Sequence, residues 1–117
     1  MSCRVLVVED DADLREMMAQ ILTLEGFEID TATDGVDALA RLAATRHPDV
    51  ILLDMMMPRM DGWTFVIRQA ETPAIAGIPV VVVSAAPRDR LQGVRAAAIL
   101  QKPLNIDELI TTVRTHC

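Results

Sequence analysis

Apolar residues along the chain fall into two alternating rhythms. Arg4 to Glu9, Phe27 to Ala32, Val50 to Leu53, Ile78 to Val83 and Ala98 to Gln101 are short runs rich in aliphatic residues, bounded by charged or turn residues. Such runs predict strands buried on both faces. Between them the spacing becomes helical. Leu14, Met17, Met18, Ile21 and Leu22 recur at i, i+3, i+4, i+7 and share one face, which makes the methionines core filler, and Gly26 ends the segment. Asp34 is placed to cap a helix that turns Val36, Leu39, Ala40 and Ala43 inward, and a third helix is expected from about Trp63 to Glu71. Asn105, with Glu108 three residues on, resembles a capping box opening a last helix with Ile106, Leu109, Ile110 and Val113 inward.

Strand and helix thus alternate in a (βα)5 pattern. The expected fold class is α/β: a doubly wound, flavodoxin-like sandwich around a five-stranded parallel sheet in the order 2-1-3-4-5, with right-handed crossovers. At 117 residues and 51% hydrophobic, residues 1–117 fit one domain that buries about two-thirds of its unfolded surface. The apolar runs are too short to cross a bilayer, and no cleavage-site pattern follows the first strand, so a cytoplasmic chain is expected. A net charge of -6 argues against direct binding to nucleic acid. Cys3 and Cys117 sit at opposite ends, without CxxC spacing or a nearby histidine, and are expected as ordinary reduced thiols. His47, in a turn before Pro48, is expected to be a solvated loop residue rather than a ligand.

The chemistry collects where the predicted strands end. In a sheet of this kind, sites form outside the carboxyl ends of the strands, and those ends carry Asp10, Asp54, Ser84 and Lys102. Glu9, Asp10 and Asp54 would crowd three like charges, which calls for a cation or a raised pKa. Mg²⁺ suits the set: Asp10, Asp54 and a main-chain carbonyl near Met56 supply oxygens, with Glu9 reached through water. An aspartate can hold phosphate as an acyl phosphate, Lys102 can offset charge on the transferring oxygens, and the Ser84 hydroxyl can donate to one of them. Asp11 and Asp13 are more simply helix caps.

The stretches VLVVEDD, VILLDMMMPRMDG, VVVVSAA and QKP, in that order, resemble the response-regulator receiver domain over essentially the whole chain. That resemblance implies a phosphorylation switch of two-component signalling rather than a metabolic enzyme. Asp54 would be the phosphoacceptor, a histidine kinase or phosphotransfer protein the donor, and Glu9 and Asp10 would hold Mg²⁺. Ser84 and Lys102 match the family's hydroxyl and lysine positions, a cis Lys102–Pro103 bond is implied, and Pro58 and Gly62 shape the loop after Asp54. No output domain is expected after the last helix, the target is not specified, and the chain is expected to be a monomer or weak dimer with no membrane partner.

Departures from the family pattern set further expectations. Ile99 stands where receivers usually carry Tyr or Phe. The stretch from Ser84 to Lys102 is about one helical turn short, so the helix there should be short or irregular. Arg95-Ala96-Ala97-Ala98 replaces the usual glycine-alanine-acid-acid turn. These changes fall on the surface most used for output, so phosphorylation chemistry is expected to be kept and the readout to be unusual. Met56 and Ala86, two residues after Asp54 and Ser84, cannot hydrogen-bond an attacking water, which predicts slow dephosphorylation. The same position weighs against an aspartyl-nucleophile phosphohydrolase, which wants an acid where Met56 stands. Glu9-Asp10-Asp11 would repel the phosphate of FMN, and no G-x-G-x-x-G supports a dinucleotide. The alternative kept open is a receiver-like interaction module that is never phosphorylated.

Overall fold

The computed structural model describes residues 2–44 and 46–117. Its strands are β1 (Arg4–Val8), β2 (Glu28–Ala32), β3 (Val50–Leu53), β4 (Val80–Ser84) and β5 (Ala98–Gln101), and its α-helices are α1 (Ala12–Leu24), α2 (Gly35–Ala44), α3 (Gly62–Ala70) and α4 (Ile106–Thr115). All strand pairs are parallel, in the order β2-β1-β3-β4-β5. The doubly wound sheet is the one the alternation predicts, with ends shifted by one or two residues. Of five expected helices, four form among the described residues. The β4–β5 crossover holds only a 3-10 turn, Arg88–Leu91, in keeping with the shortened segment there.

Every residue of β3 and β4 is buried, because helices cover both faces of the sheet and the alternating side chains feed two cores. Leu6, Val8, Ile51, Leu53 and Val82 pack with Phe65 of α3 and Leu42 of α2. Val5, Val7, Leu52, Val81 and Val83 pack with Met18 and Leu22 of α1 and Leu109 and Val113 of α4.

Helix faces are less faithfully predicted. In α2 the buried residues are Gly35, Ala38 and Leu42, while Val36, Ala40 and Ala43 lie exposed and Leu39 is half-buried. Close approach decides this: a Cβ on Gly35 would meet the Met60 side chain at 2.7 Å, so small residues rather than the most apolar ones face inward. Met17 and Ile106 are likewise exposed, each at the edge of a stripe whose centre is Met18 and Leu22 or Leu109 and Val113. Capping follows the sequence at Asp11, Asp34 and Asn105, while Asp13, also expected as a cap, lies inside the first turn of α1 and only gives its amide to Asp11. Asp11 accepts from the amides of Asp13 and Leu14, Asp34 from Asp37, and Asn105 from Glu108. His47 is exposed in the turn before β3.

The cysteines overturn the expectation of free thiols. Cys3 precedes β1 and Cys117 follows α4, and the two are joined as a disulfide with Cα atoms 5.7 Å apart. A separation of 114 residues hides this pairing, since only the packing of α4 beside β1 brings the ends together.

Candidate functional site

Register builds the site. Val8 pairs with Leu53 across β1 and β3, and the amide of Asp54 donates to Val8 O at 3.0 Å, so Glu9, Asp10 and Asp54 leave the sheet side by side. One carboxylate oxygen from each lies within 4.8 Å of the others. Glu9 and Asp54 are 1% and 5% exposed, whereas Asp10 faces solvent. On the next edge, Ser84 pairs with Gln101 at the ends of β4 and β5, and the amide of Lys102 donates to Ser84 O at 2.9 Å. The Lys102–Pro103 bond is cis.

Lys102 Nζ donates to Glu9 Oε1 at 3.0 Å and lies 3.7 Å from Asp54 Oδ2. The lysine therefore bridges two acids, and Glu9, read from sequence as a supporting acid, is its nearer partner. Glu9 Oε2 also accepts from the Asp11 amide at 3.2 Å. Burial nevertheless pushes the Glu9 carboxyl up to about 7 against the lowering effect of Lys102, and the Asp54 charge adds to the rise. For Lys102, partial burial pulls the pKa down, but the bond to Glu9 and the charges of Asp54, Glu9 and Asp10 outweigh it and leave it raised. Arg15 Nη1 donates to Glu9 O at 2.8 Å and pins the first loop from α1.

Three carboxylates this close, two of them buried, form an oxygen-rich set of the kind a hard divalent cation neutralises. Met56, in the loop after Asp54, is exposed and donates its amide to Asp54 Oδ1 at 3.3 Å. The Ser84 hydroxyl is buried and accepts from the Ala86 amide at 3.1 Å, a bond that uses its oxygen and not its proton. Ala86 is itself buried, and Ile99 is half-buried against the core.

The loop after Asp54 is held at both ends. The Gly62 amide donates to Met55 O at 2.8 Å, and a Cβ on Gly62 would lie 2.6 Å from Met55 Cα and 2.8 Å from Asp54 O. Asp61 caps α3 through the Thr64 amide. A clamp absent from the sequence reading holds the middle: Arg59, at φ 64°, pairs through Nε with Asp34 Oδ2 at 2.6 Å. Burial raises the Asp34 carboxyl, but the Arg59 bond and the Asp37 amide outweigh it and leave its pKa below the usual range. Nothing in the sequence marks this pair, because arginine does not signal a left-handed turn and 25 residues separate the partners. Trp63 was equally silent. Its Nε1 donates to Arg90 O at 3.2 Å, and the Arg90 guanidinium lies 5.4 Å from the ring centroid.

Fold and site together define a doubly wound α/β domain with acids, a hydroxyl and an ammonium gathered at the switch-point edge of its sheet. The chain belongs to the family of response regulator receiver domains, whose model matches residues 5–114. It is 44% identical to the response regulator PleD of Caulobacter vibrioides over 98% of the chain and 26% of that protein. Among solved structures it resembles the chemotaxis protein CheY4 of Vibrio cholerae (30% identity, TM-score 0.89, all of both chains covered). It also resembles the response regulator TrrA of Thermotoga maritima, solved in complex with Mg²⁺-BeF (28% identity, TM-score 0.86, 98% of this chain and 99% of that one). The chain spans between a quarter and a half of the curated relatives it matches. No helix among the described residues is long and apolar enough to cross a membrane.

Proposed function

We propose that this chain is a phosphorylation switch in which Asp54 takes a phosphoryl group from the phosphohistidine of a histidine kinase or phosphotransfer protein. An Asp54 carboxylate oxygen forms the new P–O bond as the P–N bond breaks, and the imidazole leaves. Asp10, Asp54 and the main-chain carbonyl of Met56 would hold Mg²⁺, with Glu9 reached through water, and the ion would offset charge on the phosphoryl oxygens. Lys102 supplies the second positive charge and Ser84 donates a hydrogen bond to a phosphoryl oxygen. The observation that carries this is the set of three carboxylates within 4.8 Å, two of them, Glu9 and Asp54, bridged by Lys102, an arrangement that is costly without a cationic ligand.

Residues 1–117 then act as one receiver unit in the cytoplasm, a monomer or weak dimer, without direct contact to nucleic acid or membrane. Met56 and Ala86 offer no side chain to align a hydrolytic water, so the phosphorylated form should last many minutes, and a lifetime of seconds counts against this part. The main test compares amide NMR spectra with Mg²⁺ alone and with Mg²⁺ plus beryllofluoride, for wild type and Asp54→Ala. Shifts that spread to Ser84 and β5 in wild type alone support the switch. Shifts confined to the Asp54 loop would leave an interaction module, and no ³²P incorporation from acetyl phosphate would refute the phosphoacceptor role.

A further inference from the structure

Three crossovers of this sheet carry an α-helix, and the fourth, between β4 and β5, carries only Arg88–Leu91. The missing helix leaves α3 without a helical neighbour on the side of that crossover. Trp63, Val66, Ile67 and Ala70 lie at i, i+3, i+4, i+7 along α3 and line a groove of about 300 Å³ whose other wall includes Val94 and Arg95. Ile67 is 61% exposed there. Val66, Ala70 and Arg95 also line a second hollow of about 260 Å³, so the depression continues along α3.

Charge distinguishes this groove from a chance apolar patch. The chain carries a net charge of -6, yet residues 88–95 hold three arginines and one acid, Asp89. Arg88, Arg90 and Arg95 are exposed, and no carboxylate of the described residues pairs with them. A helical stripe beside an elongated apolar groove with a basic rim is complementary to a helix that is apolar on one side and acidic on its flanks.

We propose that this groove docks an acidic amphipathic helix of a partner protein, which takes the place of the helix the β4–β5 crossover lacks. Its apolar side chains would meet Val66, Ile67 and Ala70, and its carboxylates would meet Arg90 and Arg95. The position also gives the switch proposed above a readout that does not depend on Ile99. The groove floor begins at Gly62, bonded to Met55 beside Asp54, and the opposite wall hangs from Ala86, bonded to the Ser84 hydroxyl. That coupling rests on the phosphorylation reading. Docking itself does not, so either can fail alone.

The test titrates unphosphorylated protein with a lactam-bridged helical peptide of about 14 residues, leucine at i, i+3, i+4 and i+7 and glutamate elsewhere, and with its lysine twin. Emission of Trp63, the one tryptophan, and amide shifts report binding. The glutamate peptide is expected to bind with a Kd below about 100 µM and at least about tenfold more tightly than the lysine twin. Shifts should centre on residues 63–70 and 90–95. Ile67→Glu, at an exposed position, should weaken binding about tenfold, and Arg95→Glu about threefold. Equal binding of both peptides, no saturation by millimolar peptide, or indifference to Ile67→Glu would overturn the proposal. So would a concentration-dependent dimer in sedimentation that Ile67→Glu abolishes, since the occupant would then be a second copy.

Discussion

Glu9→Gln should stabilise the metal-free protein at alkaline pH and weaken its hold on Mg²⁺. Glu9 is buried between the Lys102 ammonium and the Asp11 amide, and its carboxyl is pushed from 4.5 to about 7. The native state therefore keeps this proton over a range in which the unfolded chain has already lost it. Stability falls as pH rises from about 4.5 to 7, because the unfolded state binds fewer protons there, and the full penalty is present above 7. A rise of this size corresponds to at most about 3 kcal/mol. Glutamine removes the penalty but must point its NH₂ group at a donor, either Lys102 Nζ or the Asp11 amide, at a cost of about 1 kcal/mol. The net gain at pH 8 is then about 2 kcal/mol, or roughly 1 M in the urea midpoint. Urea melts in EDTA at pH 4.5 and pH 8 measure it, and the gap between variant and wild type should be small or reversed at the lower pH. With Mg²⁺ at 100 times its Kd the wild type recovers about 2.7 kcal/mol, and its apparent affinity should increase as pH rises toward 7, by up to about tenfold per unit, as the Glu9 proton is lost. A pH-independent gap, or a variant less stable than wild type at pH 8, would refute the placement of Glu9 as a strained acid awaiting a cation.

Other expectations rest on packing and caps. Gly62→Ala forces a Cβ against Met55 and the Asp54 carbonyl, so it should cost about 1–3 kcal/mol in a urea melt and also weaken Mg²⁺ binding in a calorimetric titration. A fully stable variant with normal Mg²⁺ titration would contradict this crowding. Asp34→Ala removes the cap on the Asp37 amide and the partner of Arg59. It should lose about 1–2 kcal/mol from the cap alone, and because the Asp34 pKa is lowered, that loss should shrink as pH falls below the normal aspartate range. Thermal melts at pH 7 and pH 3 decide it. Cys3→Ser should lower the midpoint under oxidising conditions and leave it equal to that of dithiothreitol-treated wild type, with peptide mapping reporting the Cys3–Cys117 link; a loop this long is worth up to about 4–5 kcal/mol in the chain-entropy account.

The fold was legible because parallel strands buried on both faces must be apolar throughout, and Val5 to Val8, Val50 to Leu53 and Val80 to Val83 are. Strand ends pointed to Glu9, Asp10, Asp54, Ser84 and Lys102 as candidates for a related reason: a polar residue that ends an apolar run marks the edge of the sheet, even where, as with Glu9, Asp54 and Ser84, the side chain stays buried. Which face a helix turns inward was less legible. In α2 the inward face follows the fit of Gly35 against Met60 rather than the hydropathy of Val36 and Ala43.

What sequence alone determined was local: the order of elements, the caps at Asp11, Asp34 and Asn105, and the residue types at each strand end. Tertiary structure decided everything that depends on contact across long separations. It set Lys102 between two acids, nearer to Glu9 at 3.0 Å than to Asp54 at 3.7 Å, locked Arg59 to Asp34, set Arg90 over Trp63 and joined Cys3 to Cys117. A residue type fixes what a group can bind. Only the folded chain fixes which partner lies within reach, because hydrogen bonds and burial act over a few ångströms while the sequence distances here run from 25 to 114 residues.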